Sequence, residues 1–195
     1  MNALDVLHIR PNDRVALIGC GFMGLLLVQG LRHSAAREIV ATDLDAERVQ
    51  LARRFGADRA FVLSDPVQAE EFRGSAGPQG YDVVIEATGA QAALDLAAPL
   101  VCQSGILCLF GLHWERPSFD GFRWHMRGLH VLNASPMCNP AVSNVFDGTP
   151  ALMARGLYDL RPLVTHVVPA ERAQELFETA VARKDRYLKG AVQFS

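Results

Sequence analysis

The chain is poor in the features that would tie it to a membrane, a nucleic acid or an oxidising compartment. Its 19 Lys and Arg nearly balance 21 Asp and Glu, for a formal net charge of −2, so no excess of one sign argues for nucleic acid or a charged bilayer. No apolar run is long enough to span a membrane. Residues 1–8 lack the basic start and apolar core of a secretion signal, which leaves a cytoplasmic protein as the expectation. The four cysteines, Cys20, Cys102, Cys108 and Cys138, make no CxxC pair, and the six histidines make no HxxxH pair. Neither zinc nor a disulfide framework is therefore expected, and Cys20 and Cys108 read as small hydrophobes. The chain also lacks internal repeats and low-complexity segments.

Half of its 195 residues are hydrophobic, enough for a full core in one domain with at most a short extra piece. The most informative stretch is Val15-Ala-Leu-Ile-Gly-Cys-Gly-Phe-Met-Gly24, an apolar strand followed by a GxGxxG turn that opens a helix. Gly19 permits the tight turn, Gly21 lets the backbone approach a pyrophosphate, and Gly24 allows the helix to pack closely on the strand. The helix beginning near Phe22 offers unpaired N–H groups and a positive dipole end to an anion, with Phe22 and Met23 covering either the cofactor or the core.

A second apolar run, Ile39-Val-Ala-Thr-Asp43, ends in an acid nineteen residues after Gly24, where a dinucleotide-binding unit places its ribose ligand. A carboxylate at Asp43 accepts from ribose hydroxyls and repels a 2′-phosphate, and Leu44 supplies no cation, so NAD is favoured over NADP. Asp45 is the better N-cap for the helix over 46–54. Arg48 either reaches back to the same ribose or stays a solvated helix residue. A site for S-adenosylmethionine, built on a similar glycine turn and acid, remains a minor alternative.

Strand signals over 14–18, 39–42, 59–63, 81–89, 105–111 and 129–133 alternate with helical patterns over 24–33, 46–55, from Pro66 behind an Asp65 cap, and over 91–100. A short helix over 2–8 precedes them. The middle of the run from Tyr81 is apolar on both faces, as in a buried parallel strand. These signals predict an α/β class, Rossmann fold, with a doubly wound parallel sheet and helices on both faces, over residues 1–135. Residues 136–195 read as a C-terminal tail. It holds one or two broken helices over 140–156, a strand over 163–168, an amphipathic helix over 170–183 and a last strand over 188–194.

The order of these motifs resembles the medium-chain dehydrogenases of the zinc-dependent alcohol dehydrogenase type. The matching pieces are Asp13-Arg-Val-Ala-Leu-Ile-Gly-Cys-Gly-Phe-Met-Gly24, Ala41-Thr-Asp-Leu-Asp45 with Leu51-Ala-Arg-Arg-Phe-Gly-Ala-Asp58, Asp82-Val-Val-Ile-Glu-Ala-Thr-Gly89, Arg127-Gly-Leu129, Leu163-Val-Thr-His166 and Tyr187-Leu-Lys-Gly190. The resemblance implies NAD(H) lying across the carboxyl ends of the strands, with Thr88 and Gly89 on the adenosine side and the loop after Phe110-Gly111 near the nicotinamide. It further implies hydride transfer with a small alcohol or carbonyl compound.

Only residues 1–13 precede the first strand, so the family's N-terminal domain, with its zinc ligands and proton relay, is expected to be missing. No catalytic residue is assigned on this reading, and a separate catalytic domain or subunit becomes an expected partner beside NAD(H). In the family the tail packs on that domain, so Leu176, Phe177 and the strand near Val192 must fold back, meet another chain or stay exposed. The edge strand over 129–133 is the expected two-fold contact of a homodimer. Two further readings are a non-catalytic NAD(H)-binding sensor, scaffold or partner subunit, and a small metal-free enzyme using His113, Glu115 or His125 for proton transfer.

Overall fold

A computed structural model describes residues 2–135, 142–182 and 184–194, and for 142–146 the backbone alone. Six strands, β1 (Arg14–Ile18), β2 (Glu38–Asp43), β3 (Arg59–Val62), β4 (Tyr81–Glu86), β5 (Val101–Leu109) and β6 (His130–Asn133), form one parallel sheet in the order β3-β2-β1-β4-β5-β6. Helix α1 (Asn2–Leu7) precedes the sheet, and α2 (Phe22–Leu31), α3 (Ala46–Phe55), α4 (Pro66–Ser75), α5 (Gln91–Leu100) and α6 (Gly121–Met126) make the crossovers, covering both faces. This is the expected doubly wound Rossmann arrangement.

The alternation of side chains along each strand explains the two layers. On β1, Val15 and Leu17 join Leu25, Val28 and Val49 on one face, while Ala16 and Ile18 join Phe72, Leu94 and Leu107 on the other. Two helices start where their cap residues predict. The Asp45 carboxylate accepts from the amides of Glu47 and Arg48 at 2.8 and 3.3 Å, and Asp65 accepts from those of Val67 and Gln68 ahead of Pro66.

Several boundaries differ from expectation: α2 starts at Phe22 and ends at Leu31, β4 ends at Glu86 rather than 89, and the last strand is Gly190–Gln193. β5 begins at Val101 rather than near 105, because α5 runs directly into it and the pairing jumps from Tyr81–Val101 to Val83–Ile106. The residues between form a bulge in which Ser104 takes φ +55°, and their polar character hides the strand in the sequence. Leu163 lies in a 3-10 turn, Arg161–Leu163, so strand β7 is only His166–Pro169. The predicted amphipathic helix opens as another 3-10 turn, Ala170–Arg172, before α8 (Ala173–Ala182), and Arg183 lies outside the described residues.

Helix α7 (Val142–Ala154) carries Pro150 within a single element, while Cys138 and residues 140–141 are outside the described residues. β7 pairs in parallel with β8 (Gly190–Gln193) as a second, two-stranded sheet. Leu163 is buried in the core beside α1 and α2, and Leu176 folds back over Gly190, whereas Phe177 is 66% exposed. The buried Gln29 amide clamps the approach to this tail, donating to the Asp159 carbonyl at 3.1 Å and accepting from its amide at 2.6 Å. Among the described residues no helix is long and apolar enough to cross a membrane.

Leu17→Ala removes fully buried methyl groups between β1 and its covering helices, and should cost about 2–5 kcal/mol in urea denaturation. Trp114→Ala, at an 89% exposed ring, should change stability by no more than about 0.5 kcal/mol in the same measurement.

Candidate functional site

The strand order reverses between β1 and β4, and the crevice outside the carboxyl ends of such a pair is where open α/β sheets take ligands. The turn after β1 and the loop after β4 meet there. Gly19 has φ +103°, which L side chains rarely adopt, and a Cβ on it would lie 2.6 Å from Thr88 Cγ2. A Cβ on Gly24 would lie 2.0 Å from the Gly19 carbonyl oxygen, so close helix-on-turn packing requires that glycine too.

Gly21 is different. Its φ is an ordinary −66°, and nothing lies within 4 Å of where its Cβ would stand. Folding therefore explains glycine at 19 and 24 and does not explain it at 21. Gly21 is also the N-cap of α2, which has no side-chain cap, whereas α3, α4 and α6 are capped by Asp45, Asp65 and Asp120. An open cradle at an uncapped helix N-terminus fits a phosphate-bearing ligand, drawn by backbone N–H groups and the helix dipole.

Asp43 closes β2 beside this turn. Its Oδ2 accepts from the Cys20 amide at 2.7 Å and its Oδ1 from the Asp45 amide at 3.0 Å. Each oxygen keeps a further lone pair that a ribose hydroxyl can use. Phe22 is half-buried and Met23 51% exposed at the start of α2. Arg48 is held by the tail rather than by Asp43: its Nη2 donates to the Tyr187 carbonyl at 3.2 Å, and its Nε lies 4.0 Å from Asp45 Oδ2.

Lys189, two residues on, lies with its Nζ 5.1 Å from the centre of the Phe22 ring, which brings a cation from the far end of the chain onto the glycine turn. Nothing local in the sequence marks Lys189 for that position, since the contact depends on where the tail docks.

A second residue missed by the sequence reading organises the neighbouring loops. Glu86, fully buried at the end of β4, accepts through Oε1 from the Thr88 amide at 2.7 Å, the Thr88 hydroxyl at 2.5 Å and the Gly89 amide at 3.0 Å. Its Oε2 lies 3.1 Å from His113 Nε2, and its carbonyl accepts from the amides of Phe110 and Gly111. Gly89 and Gly111 pack so closely that a Cβ on Gly111 would lie 2.1 Å from the Gly89 nitrogen. The signal was present in the sequence: an acid ending an otherwise apolar buried strand must be paired.

The site thus gathers Gly19, Gly21, Phe22, Met23, Gly24, Asp43, Thr88, Gly89, Gly111 and His113 around one edge of the sheet. His125 is instead exposed on α6, and Glu115 is exposed beyond His113. A groove of about 170 Å³ between α5 and α6, floored by Leu94 and walled by Trp124, shares none of these residues. Among the described residues no three His, Cys, Asp or Glu side chains converge to hold a metal ion.

The sequence profile described as zinc-binding dehydrogenase matches residues 23–148. An L-threonine 3-dehydrogenase of Saccharopolyspora erythraea is 32% identical over 170 residues, covering 87% of this chain and 48% of that protein. The chain thus spans about half the length of the relative it matches. Alcohol dehydrogenase from Thermus sp. ATN1 superposes with a TM-score of 0.82 at 27% identity, over 100% of this chain and 56% of that one. Two more distant structures share the fold. A dehydrogenase from Sinorhizobium meliloti bound to NADP gives a TM-score of 0.77 at 24% identity, over 99% of this chain and 54% of that one. An Escherichia coli alcohol dehydrogenase complexed with NADH gives 0.80 at 21% identity, over 98% and 54%.

The cysteines around the site are chemically quiet. Burial, then the Asp43 carboxylate, pushes the Cys20 thiol well up, and burial, then the Glu86 carboxylate, pushes Cys108 up to about 12. A thiol probe at pH 8 with peptide mapping should label half-buried Cys102 before Cys20 or Cys108. The raised Cys108 value also works against the fold in alkali. Its contribution is intact below the ordinary value of 9.0 and is lost as pH climbs toward about 12, because the unfolded thiol ionises first. Cys108→Ala should flatten that loss in urea titrations across the same window.

Proposed function

This chain belongs to the zinc-binding dehydrogenase family, and from that premise we propose that it is the NAD(H)-binding portion of an oxidoreductase that moves hydride between nicotinamide and a small alcohol or carbonyl compound. At the coarser level it is a nicotinamide-dinucleotide-binding region of an alcohol dehydrogenase-like protein. The observation that carries the finer reading is Gly21, a glycine whose missing side chain no contact inside the protein explains, at an uncapped helix end.

When bound, the cofactor supplies the hydride chemistry. The chain's own residues bind and orient it. The α2 N-terminus and Gly21 take the pyrophosphate, with Phe22 and Met23 beside it and Lys189 adding positive charge. Asp43 takes the adenosine ribose through the free lone pairs of its carboxylate and selects NAD over NADP by repelling a 2′-phosphate. Arg48 borders that ribose while braced by the tail, and Thr88, Gly89 and Gly111 shape the wall opposite Gly19.

In this reading residues 1–135 are the dinucleotide-binding domain and 136–195 a tail. The substrate site is completed by a separate catalytic domain or subunit, which makes this portion incomplete as a catalyst alone. The open edge at β6 is where a two-fold partner would extend the sheet.

Calorimetric titration with NADH and NADPH tests the reading. Wild type should bind NADH with micromolar affinity and NADPH at least tenfold more weakly. Asp43→Ala should weaken NADH by about tenfold and narrow the gap between the two nucleotides. Gly21→Val should weaken NADH by a similar factor while costing the fold no more than about 1 kcal/mol in urea, because its side chain enters open space and only the N-cap preference of α2 is lost. Failure of the wild type to bind either nucleotide would overturn the assignment, and S-adenosylmethionine would be titrated next.

A further inference from the structure

The cofactor reading uses the glycine turn and Asp43 and leaves one buried titratable pair without a role. Glu86 is fully buried, and the His113 side chain is only 11% exposed, with Nε2 3.1 Å from Glu86 Oε2. A carboxylate taken out of water is costly unless donors satisfy it. Thr88 and Gly89 already give Glu86 three donors, so the imidazole exceeds what loop closure between β4 and β5 requires.

The donors on Glu86 favour one tautomer of the ring. An ionised carboxylate only accepts, so Nε2 donates to Glu86 and the neutral ring turns a lone pair outward at Nδ1. Among the described residues Nδ1 has no hydrogen-bond partner. It is also not sealed away, because among the described residues no buried side-chain nitrogen or oxygen lacks a partner. The Cys108 thiol on β5 lies close enough to this pair to feel the Glu86 charge.

The placement ties this nitrogen to the ligand crevice. β4 flanks the point where strand order reverses, and Glu86 ends it. Thr88 bonds Glu86 through amide and hydroxyl, and its methyl group stands where a Cβ on Gly19 would clash. One unbroken run of contacts therefore joins the glycine turn, Thr88, Glu86 and His113.

We propose that His113 is a ligand-contacting residue of the bound dinucleotide, its Nδ1 accepting a hydrogen bond from an amide N–H or hydroxyl at the carboxyl edge of β4 and β5, with Glu86 as the residue that positions it. This rests on the cofactor reading above.

The test combines NADH affinity, urea stability and ¹⁵N NMR of the histidine rings on the full chain. NADH added to wild type should shift the His113 Nδ1 resonance. His113→Phe should weaken NADH about tenfold, and His113→Gln should restore most of it, since the amide donates to Glu86 and turns its oxygen outward. Glu86→Gln should move the ring proton to Nδ1 in the NMR spectrum and weaken NADH as His113→Phe does, beyond any change in the urea midpoint.

An unmoved Nδ1 resonance, or His113→Phe binding like wild type while Gly21→Val is impaired, overturns the role of the pair and leaves the cofactor reading standing. Absence of NADH binding by wild type overturns both.

Discussion

The parallel ladder imposes the constraint on which this molecule turns. When six strands run the same way, their last carbonyls and the amides that follow all arrive at one edge, where the chain must leave the sheet and reverse. Those amides need partners, and the protein supplies them with carboxylates: Asp43 for Cys20 and Asp45, and Glu86 for Thr88 and Gly89. One set is treated differently. The N-terminus of α2 starts from a glycine with no side chain to cap it. The same accounting that holds the loops in place leaves the positive end of α2, beside the glycine turn, open for a guest.

The C-terminal tail bears on that edge through several weak contacts and a few buried ones. Arg186 pairs with Glu47 at 2.9 Å, Arg48 reaches the Tyr187 carbonyl, and Lys189 stands over Phe22. Exposed pairs of this sort contribute little singly. What fastens the tail is burial of Leu163 and Leu176 and the two-way bond of Gln29 with the Asp159 backbone. A ligand that touched both the glycine turn and Lys189 would stabilise the pairing of tail and domain in proportion to its binding.

Local signals made the Rossmann half legible. The strand over 14–18 matches the sequence reading because an apolar run meets a glycine turn on one side and polar residues on the other, and Asp45 and Asp65 mark helix starts through bonds that span three residues at most. What escaped depends on contacts distant in sequence. The beginning of β5 is masked by Gln103 and Ser104, whose bulge makes sense only against β4. Leu163 looks like a strand residue and is instead a buried plug on a 3-10 turn that contains Pro162. Within the site, the glycines and Asp43 were readable as a pattern. Lys189 was not, and the His113 partnership with Glu86 spans 27 residues and a strand pairing.

The three glycines of the turn also differ in what would become of a lineage that lost them. Replacement at 19 or 24 meets atoms of the fold itself, so such variants are purged as misfolded whatever the protein does. At 21 the fold offers no resistance. A descendant with a side chain there would keep its shape, its abundance and its likeness to its relatives while its ligand was shut out. Drift at that one position can turn a working cofactor platform into an inert scaffold, and it is the residue to inspect before a function is inherited from a fold.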